Sequence, residues 1–519
     1  MAQKIVIDPI TRIEGHLKVE VEIENGKVVN AKASGTMARG IETLLKGKDP
    51  RDATYVTERV CGVCAGSHGW VSSVAVENAQ GAKLPQTARV LRNLILGAMW
   101  LHDHPLHFYH LSALDYLDVT MVAYYQGQDP KLLAVKDKIV KLVKAGDTSP
   151  LLPRYKPDEF SVNDPDLVTT AVSHYLMALE MQAKAKKMSA IFSGKQPHQS
   201  SIVAGGVTML PDLSKIEQFR SLLAEQSDYV EKVYWQDVLT FGAGPLLPLA
   251  RAGVGGGHGH YLTYGGFPLD DKGKFLFPAG VIFDNQFGNV LPVDPAQISE
   301  AVKYSWYSEQ TGSKNPSEGE TIFDLNKPEA YSFVKAPRYN GKPMEVGPLA
   351  RMLVLKPQPF MDLVTRYGIK PGAVARHAAR AYETVLLAKA MPAWLDELED
   401  LIKHGETRIH DTEHWDPPAT GEGSGLIDAP RGALGHWIQI SGHKIANYQM
   451  VVPTTWNHSP RDEHDQPGPL EQALIGVPVP DPENPVNVVR VVRSYDPCLA
   501  CAIHIIQPES NRILEFQIG

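Results

Sequence analysis

The feature that most constrains this 519-residue chain is the placement of its four cysteines. They form two Cys-x-x-Cys pairs, Arg59-Val-Cys61-Gly-Val-Cys64 near the start and Asp496-Pro-Cys498-Leu-Ala-Cys501 near the end. One such turn points two soft thiolates at the same ion, and two of them make a four-sulfur pocket for a transition metal. Structural zinc sites usually set their pairs about 15 to 20 residues apart, so that a small module folds round the ion. Here nearly the whole chain lies between the pairs. Loop-closure entropy grows only logarithmically, so the longer span costs about 3 kcal/mol more, against about 10 to 16 kcal/mol available from a four-ligand metal site. The folded body therefore positions the metal, as a reactive centre requires. A structural Zn(Cys)4 protein is the non-redox alternative. Four cysteines in a chain of this length are not a disulfide scaffold.

With 43% hydrophobic and 21% charged residues the chain can bury a large core, and its length alone allows about three domains. No low-complexity linker divides it. The net charge of -8 and the pI near 6.2 leave no basic footprint for nucleic acid. The sequence has no apolar run long enough to span a bilayer, so a soluble protein is expected. Met1-Ala-Gln-Lys-Ile-Val-Ile lacks the basic region, apolar run and cleavage site of a secretory signal, so any export is expected to depend on a partner.

Residues 4–35 alternate apolar and polar around a turn at Glu24-Asn-Gly26, which predicts a β-hairpin. Within it stands Arg12-Ile-Glu14-Gly-His16, whose carboxylate at a strand end is ordinarily solvated. Gly40-Ile-Glu42 opens a short helix, where Glu42 reads as an exposed first-turn acid favoured by the helix dipole. From Pro85, apolar residues at Val90, Leu91, Leu94, Ile95 and Ala98 recur at helical spacing. That helix runs into Asp103, His107 and His110 on one face, a pattern that fits a metal site or a histidine-lined core helix. Further helices are predicted over roughly 163–193, 213–240 and 371–403, the last kinked or broken at Pro392. Residues 241–350 read as an irregular peripheral layer. Gly253-Val-Gly255-Gly-Gly-His258 within it is no dinucleotide loop, because no helix pattern follows. Asp428-Ala-Pro430-Arg431 reads as a turn before a strand, and Met450 to Thr454 as a strand ending at Pro453.

The two cysteine motifs with their flanks, Arg59 to His68 and Asp496 to His504, resemble the large, catalytic subunit of nickel-iron hydrogenases. The resemblance extends from Arg12 to the C-terminus. It implies a mainly helical α+β fold with a central long-helix bundle and peripheral small β-sheets. It implies one large catalytic domain over 1–504 and a C-terminal maturation peptide at 505–519, removed by a dedicated protease after nickel insertion. The implied activity is reversible heterolytic cleavage of dihydrogen at a Ni-Fe centre whose iron carries carbon monoxide and cyanide.

By the same resemblance Cys61 and Cys498 are terminal on nickel, and Cys64 and Cys501 bridge nickel to iron. Cys498, or alternatively Arg431, accepts the proton, and Glu14 relays it outward. Glu42, the Met450 carbonyl and His504 hold a magnesium-type ion (Mg, Ca or Fe). His68 hydrogen-bonds to a bridging sulfur, and Asp103, Pro430, Thr454 and Asp496 surround the metals. Thr454 replaces the serine more usual in the family and keeps the hydroxyl donor. With every cysteine committed, the iron-sulfur clusters must lie in a small subunit. Nickel-insertion proteins and a membrane cytochrome are further implied partners. The implied location is periplasmic or membrane-associated through the partner's export signal, after folding and maturation in the cytoplasm. Hydrogen-sensing relatives usually lack the extension, so a working enzyme is favoured over a regulatory subunit.

Overall fold

The computed structural model describes residues 3–149, 151 and 154–502. The N-terminal hairpin is the larger part of a three-stranded antiparallel sheet, β1 (Gln3–Ile7), β2 (Leu17–Glu24) and β3 (Lys27–Gly35). Leu17, Val19, Val21 and Ile23 of β2 all turn inward, as period-two alternation requires, while the polar residues between them are less buried. Asn25 and Gly26 make the two-residue turn, both at positive φ.

The centre is a helical bundle. Helix α1 (Ala65–Gln80) starts at Cys64, and α2 (Gln86–Pro105) packs between α3 (Pro165–Ser193) and a long C-terminal helix; α4 (Leu213–Tyr229) closes the group. Asp164 caps α3 by accepting from the Asp166 and Leu167 N–H groups, with Pro165 at its first position. The short helix α5 (Pro348–Leu355) precedes the long one, α6 (Ala373–Lys403). Contrary to a break at Pro392, α6 continues through that residue. Its flanks Met391, Trp394 and Leu395 are buried, so packing holds the helix together despite the lost hydrogen bond.

Two helical runs pass through a wider turn: α2 continues as a π-helical segment, Leu106–Ser112, and α4 as Val230–Tyr234 before Trp235–Ala243. Between the helical runs, residues 241–350 hold two- to four-residue strands, 3-10 turns and the short helix Leu247–Ala252. The strand Tyr261–Thr263, rather than a helix, follows the glycine-rich stretch. A second antiparallel sheet, β4 (Thr420–Ala429), β5 (Gly432–Ser441) and β6 (Lys444–Val451), lies against α1. The largest apolar core joins the first sheet, the bundle and the C-terminal segment, and it contains all four cysteines.

Candidate metal centre

Four stretches distant in sequence meet at the cysteines. The first pair lies in the turn entering α1, where the Val63 and Cys64 N–H groups both point at Cys61 Sγ from 3.2 Å. Backbone donors at a helix start favour a thiolate. The second pair is docked by main chain onto the Arg12–His16 motif: Glu14 N–H donates to the Pro497 carbonyl (3.3 Å), and Leu499 N–H to the Glu14 carbonyl (2.7 Å). Gly15, at φ +81°, makes this approach possible, since a Cβ there would lie 2.5 Å from Ala500 N. The Cys498 N–H donates to Thr454 Oγ1 at 3.1 Å, tying in the residues that follow β6.

The sulfurs converge. Cys61 to Cys498 and Cys64 to Cys501 are 3.4 Å apart, Cys498 to Cys501 is 2.8 Å, and all four lie within 4.8 Å of one another. All are buried, and none is in a disulfide. Four ligands at metal-thiolate distance round one ion sit about 3.8 Å apart, close to this spacing. The donor set also fits electrostatically. Burial pushes Cys498 and Cys501 well above the ordinary thiol range. Cys61 resists the same burial and is held low because its neighbouring thiols donate to it. Burial thus works against several thiolates together in this pocket, and a cation placed among the sulfurs would favour them.

Around the sulfurs the expected residues take distinct places. Glu14, half-buried, accepts from Cys498 Sγ (3.2 Å) and from the Ala500 N–H (3.1 Å) through one oxygen. Burial, then the Cys61 charge, raises its carboxyl above the usual range. Arg431 is no solvated turn residue: it is buried in the two-residue turn between β4 and β5, with Pro430. Its guanidinium faces Asp103 Oδ2 (3.4 Å) and Asp496 Oδ2 (3.1 Å). His68, on α1 one turn after Cys64, meets His436 of β5 at 3.2 Å, and His436 meets the Tyr448 hydroxyl at 2.8 Å.

Glu42 is buried, contrary to its reading as an exposed first-turn acid. The cause lies far along the chain, in the loop that supplies Thr321 and Lys335 and in β6. Its carboxylate accepts from the Met450 N–H (2.8 Å) and from the Thr321 hydroxyl. Lys335 stands between Glu300 (3.2 Å) and the Gln449 side-chain oxygen (3.1 Å), and its charge also acts on Glu42. His504 lies outside the described residues.

The histidines of 102–110 do not gather round an ion. His107 donates to the Arg493 carbonyl (2.6 Å), and His110 turns to Tyr175 and Gln182 on α3. The π-helical segment rotates them off the single face that regular α-helical spacing predicts. Among the described residues, the donor groups close enough to share an ion are the four cysteines and the trio of buried Asp411, exposed Glu413 and half-buried His414.

Residues 39–504 match the family described as nickel-dependent hydrogenase, and residues 4–34 match the HoxL-like family. The chain belongs to the nickel-dependent hydrogenase family. It is 40% identical to the periplasmic NiFeSe hydrogenase large subunit of Desulfomicrobium baculatum, over 98% of this chain and 96% of that one. It is 36% identical to the hydrogenase-2 large chain of Escherichia coli K12, over 100% of both. The as-isolated, oxidised Ni-Fe-Se hydrogenase of Desulfovibrio vulgaris Hildenborough superposes with a TM-score of 0.85 at 42% identity, covering 97% of this chain and 100% of that one. This hydrogenase large subunit is a nickel-dependent oxidoreductase with the mixed, mainly helical fold of its relatives, and its four cysteines are the ligands of a nickel-iron centre. Selenium is named for two of these relatives, whereas this chain has cysteine at all four positions.

Sequence reading missed Thr321, Lys335, His436 and the buried pair in which Arg351 of α5 donates to Glu383 of α6. A signal existed for the last of these: Arg376, Arg380 and Glu383 recur one turn apart along a helix otherwise rich in alanine and leucine. Charges spaced that way on an apolar face announce a buried polar network.

Proposed function

We propose that residues 1–504 act as one catalytic domain that cleaves dihydrogen heterolytically and reversibly, with Glu14 carrying the proton away from Cys498. The observation that carries this reading is the 3.2 Å contact between Cys498 Sγ and Glu14 Oε2, at the one side of the sulfur cluster where a half-buried carboxylate stands. The nickel-iron pair, when bound, supplies the electrophile that polarises a nonpolar molecule with a very weakly acidic proton. By the family resemblance Cys61 and Cys498 would hold the nickel, Cys64 and Cys501 would hold nickel and iron together, and carbon monoxide and cyanide would complete the iron. The Cys498 thiolate takes the proton at sulfur, with Arg431 the alternative base. Glu14 already faces that sulfur and is itself only half-buried, so one short transfer moves the proton from Cys498 toward the outside of the pocket. Arg431 and Thr454 orient the diatomic ligands; the Thr454 oxygen accepts from Cys498 N–H, which leaves its own hydroxyl proton to donate into the pocket.

Glu42, the Met450 carbonyl and, by the family resemblance, His504 would hold a magnesium-type ion. Two buried carboxylates, Glu42 and Glu300, stand near one lysine, and burial raises both above the usual carboxylate range, so a hard dication there would favour their charged forms. Electrons leave through an iron-sulfur small subunit, because no cysteine remains here for a cluster. The name of the Desulfomicrobium relative places that protein in the periplasm. We assign this chain the periplasm or the membrane face, reached with its partner and feeding a membrane cytochrome, after nickel-insertion proteins and a protease acting on 505–519 complete it in the cytoplasm.

The test is an infrared spectrum of the purified complex with nickel and iron analysis, on the native protein and on Glu14→Gln. Carbonyl and cyanide bands with both metals in each protein, and turnover lower by about 10²- to 10⁴-fold in the variant, are expected. Zinc without those bands in the processed chain, or a fully active variant, overturns the reading.

A further inference from the structure

Arg431 is poorly held by its own tip. Its Nε lies 3.1 Å from Asp496 Oδ2 but outside hydrogen-bond alignment, and its contact with Asp103 is long at 3.4 Å. Two such contacts fix a charge's neighbourhood rather than its orientation. What fixes Arg431 is its backbone, and the backbone is fastened by a second arginine.

Arg351, on α5, is fully buried and uses every nitrogen of its guanidinium. Nε and Nη2 donate to the two oxygens of Glu383 on α6, at 2.8 and 2.7 Å. Nη1 donates to Asp428 Oδ2 (2.9 Å) and the Ala429 carbonyl (3.1 Å), and Nη2 also to the Pro430 carbonyl (2.7 Å). Three consecutive residues before Arg431 are therefore tied to one rigid fork. The backbone just before α5 presses on the same turn: Gly347 and Gly432 both hold positive φ, and a Cβ on Gly347 would stand 2.7 Å from the Arg431 carbonyl oxygen.

The same fork reaches the helix of Arg431's counter-ion. The Trp100 ring lies 4.5 Å from the Arg351 guanidinium, and His104 Nε2 is 2.9 Å from Glu383. On α2 Trp100 stands one turn before Asp103 and His104 directly after it, so contacts on either side of Asp103 lead to the Arg351–Glu383 pair. A buried ion pair seldom adds net stability over an apolar pair of similar shape, so this pair calls for a reason other than stability.

We propose that Arg351, locked by Glu383, is a positioning residue for the metal centre: it holds the Arg431 turn and the Asp103 helix in fixed relation, and so aims the Arg431 guanidinium at the metal ligands. The inference rests on the reading that Arg431 acts there. Lysine keeps the charge but has three donors on a point and cannot grip Glu383 and the turn together.

The experiment compares Arg351→Lys, Arg431→Lys and the double variant in the intact hydrogenase complex, by nickel and iron content, infrared bands and hydrogen-oxidation turnover. Expected are native metal content, carbonyl and cyanide bands displaced in the same direction in both single variants, and turnover about 10- to 100-fold lower in Arg351→Lys. The double variant is expected to be no slower than Arg431→Lys, because both remove one function. Native band positions in Arg351→Lys, or losses that multiply in the double variant, overturn the inference. Native bands and turnover in Arg431→Lys instead overturn the underlying reading, whatever Arg351 does. If Arg351→Lys does not accumulate, Glu383→Gln, which keeps the shape and loses the charge, decides by the same bands and the same comparison with Arg431→Lys.

Discussion

Glu471 offers a measurement of what burying a charge costs this fold. It sits in the short helix Pro469–Leu474, with no exposed surface, and one oxygen accepts from both the Ala33 N–H of β3 (3.0 Å) and the Tyr331 hydroxyl (2.8 Å). Its other oxygen lies near the Gly468 N–H without a well-formed hydrogen bond. Burial pushes the carboxyl up to about 7, against the Ala33 and Tyr331 donors and the Arg461 charge. The folded value thus lies above the ordinary 4.5. Between the two, the native state keeps a proton that the unfolded chain has lost. The group costs nothing below the unfolded value, and its cost grows through the window and levels off above the folded value. The full difference is about 3 kcal/mol, of which about 2.5 kcal/mol falls between pH 5 and pH 8.5.

Glu471→Gln keeps the accepting oxygen and places an uncharged donor where the protonated oxygen stood. Unfolding entropy near 2.1 cal/mol/K per residue makes about 1.1 kcal/mol/K for 519 residues, so the melting temperature of the variant should gain about 2 °C on the native protein from pH 5 to pH 8.5. Paired thermal scans at equal scan rate read this directly, because every other titrating group cancels in the difference. An offset that stays flat across that range, or falls with pH, refutes the reasoning.

Two further changes test the seat of the metals. Gly15→Ala forces a side chain into a positive-φ position 2.5 Å from Ala500 N, so the second cysteine pair should be displaced; purified protein is expected to lose most of its nickel, read by elemental analysis, while Asn25→Ala in the exposed hairpin turn keeps it. Thr454→Val removes the acceptor of the buried Cys498 N–H and should cost about 1 to 3 kcal/mol, seen in thermal melts, whereas Thr454→Ser restores it.

The parts of the site that were legible in the sequence are those whose chemistry is local. A Cys-x-x-Cys turn presents two sulfurs whatever surrounds it, and the strand alternation of β2 and the spacing of Val90 to Ala98 follow from backbone geometry alone. Burial of Glu42 was not legible, because its surroundings come from Thr321, Lys335 and Met450, each hundreds of residues away. Strand β4 was missed for a different reason. Thr420-Gly-Glu-Gly-Ser-Gly reads as a loop by composition, yet its glycines are what let the strand lie directly on α1, where a Cβ at Gly423 would stand 2.2 Å from the Ala75 carbonyl oxygen. The wide turn after Pro105 likewise carries no local sign, and it decides which histidines face the core.

One set of main-chain bonds, at the junction of the two cysteine-bearing segments, both ties the fold together and sets the place of the Glu14 carboxylate. The Glu14 N–H to Pro497 and Leu499 N–H to Glu14 hydrogen bonds pair the segments in parallel, with Glu14 opposite Cys498. Extended segments turn successive side chains to opposite faces, so a shift of one residue in this pairing would swing the Glu14 carboxylate away from the sulfur. Arg493 reinforces the register from outside the pocket: it donates to the Thr11 carbonyl (2.9 Å) and grips Asp115, which also holds Arg12. The Glu14 carboxylate is therefore placed by the same main-chain contacts that bring the second cysteine pair to the first. A substitution that loosens this junction should weaken metal seating and proton exit together, and one that acts on the Glu14 side chain alone should separate them.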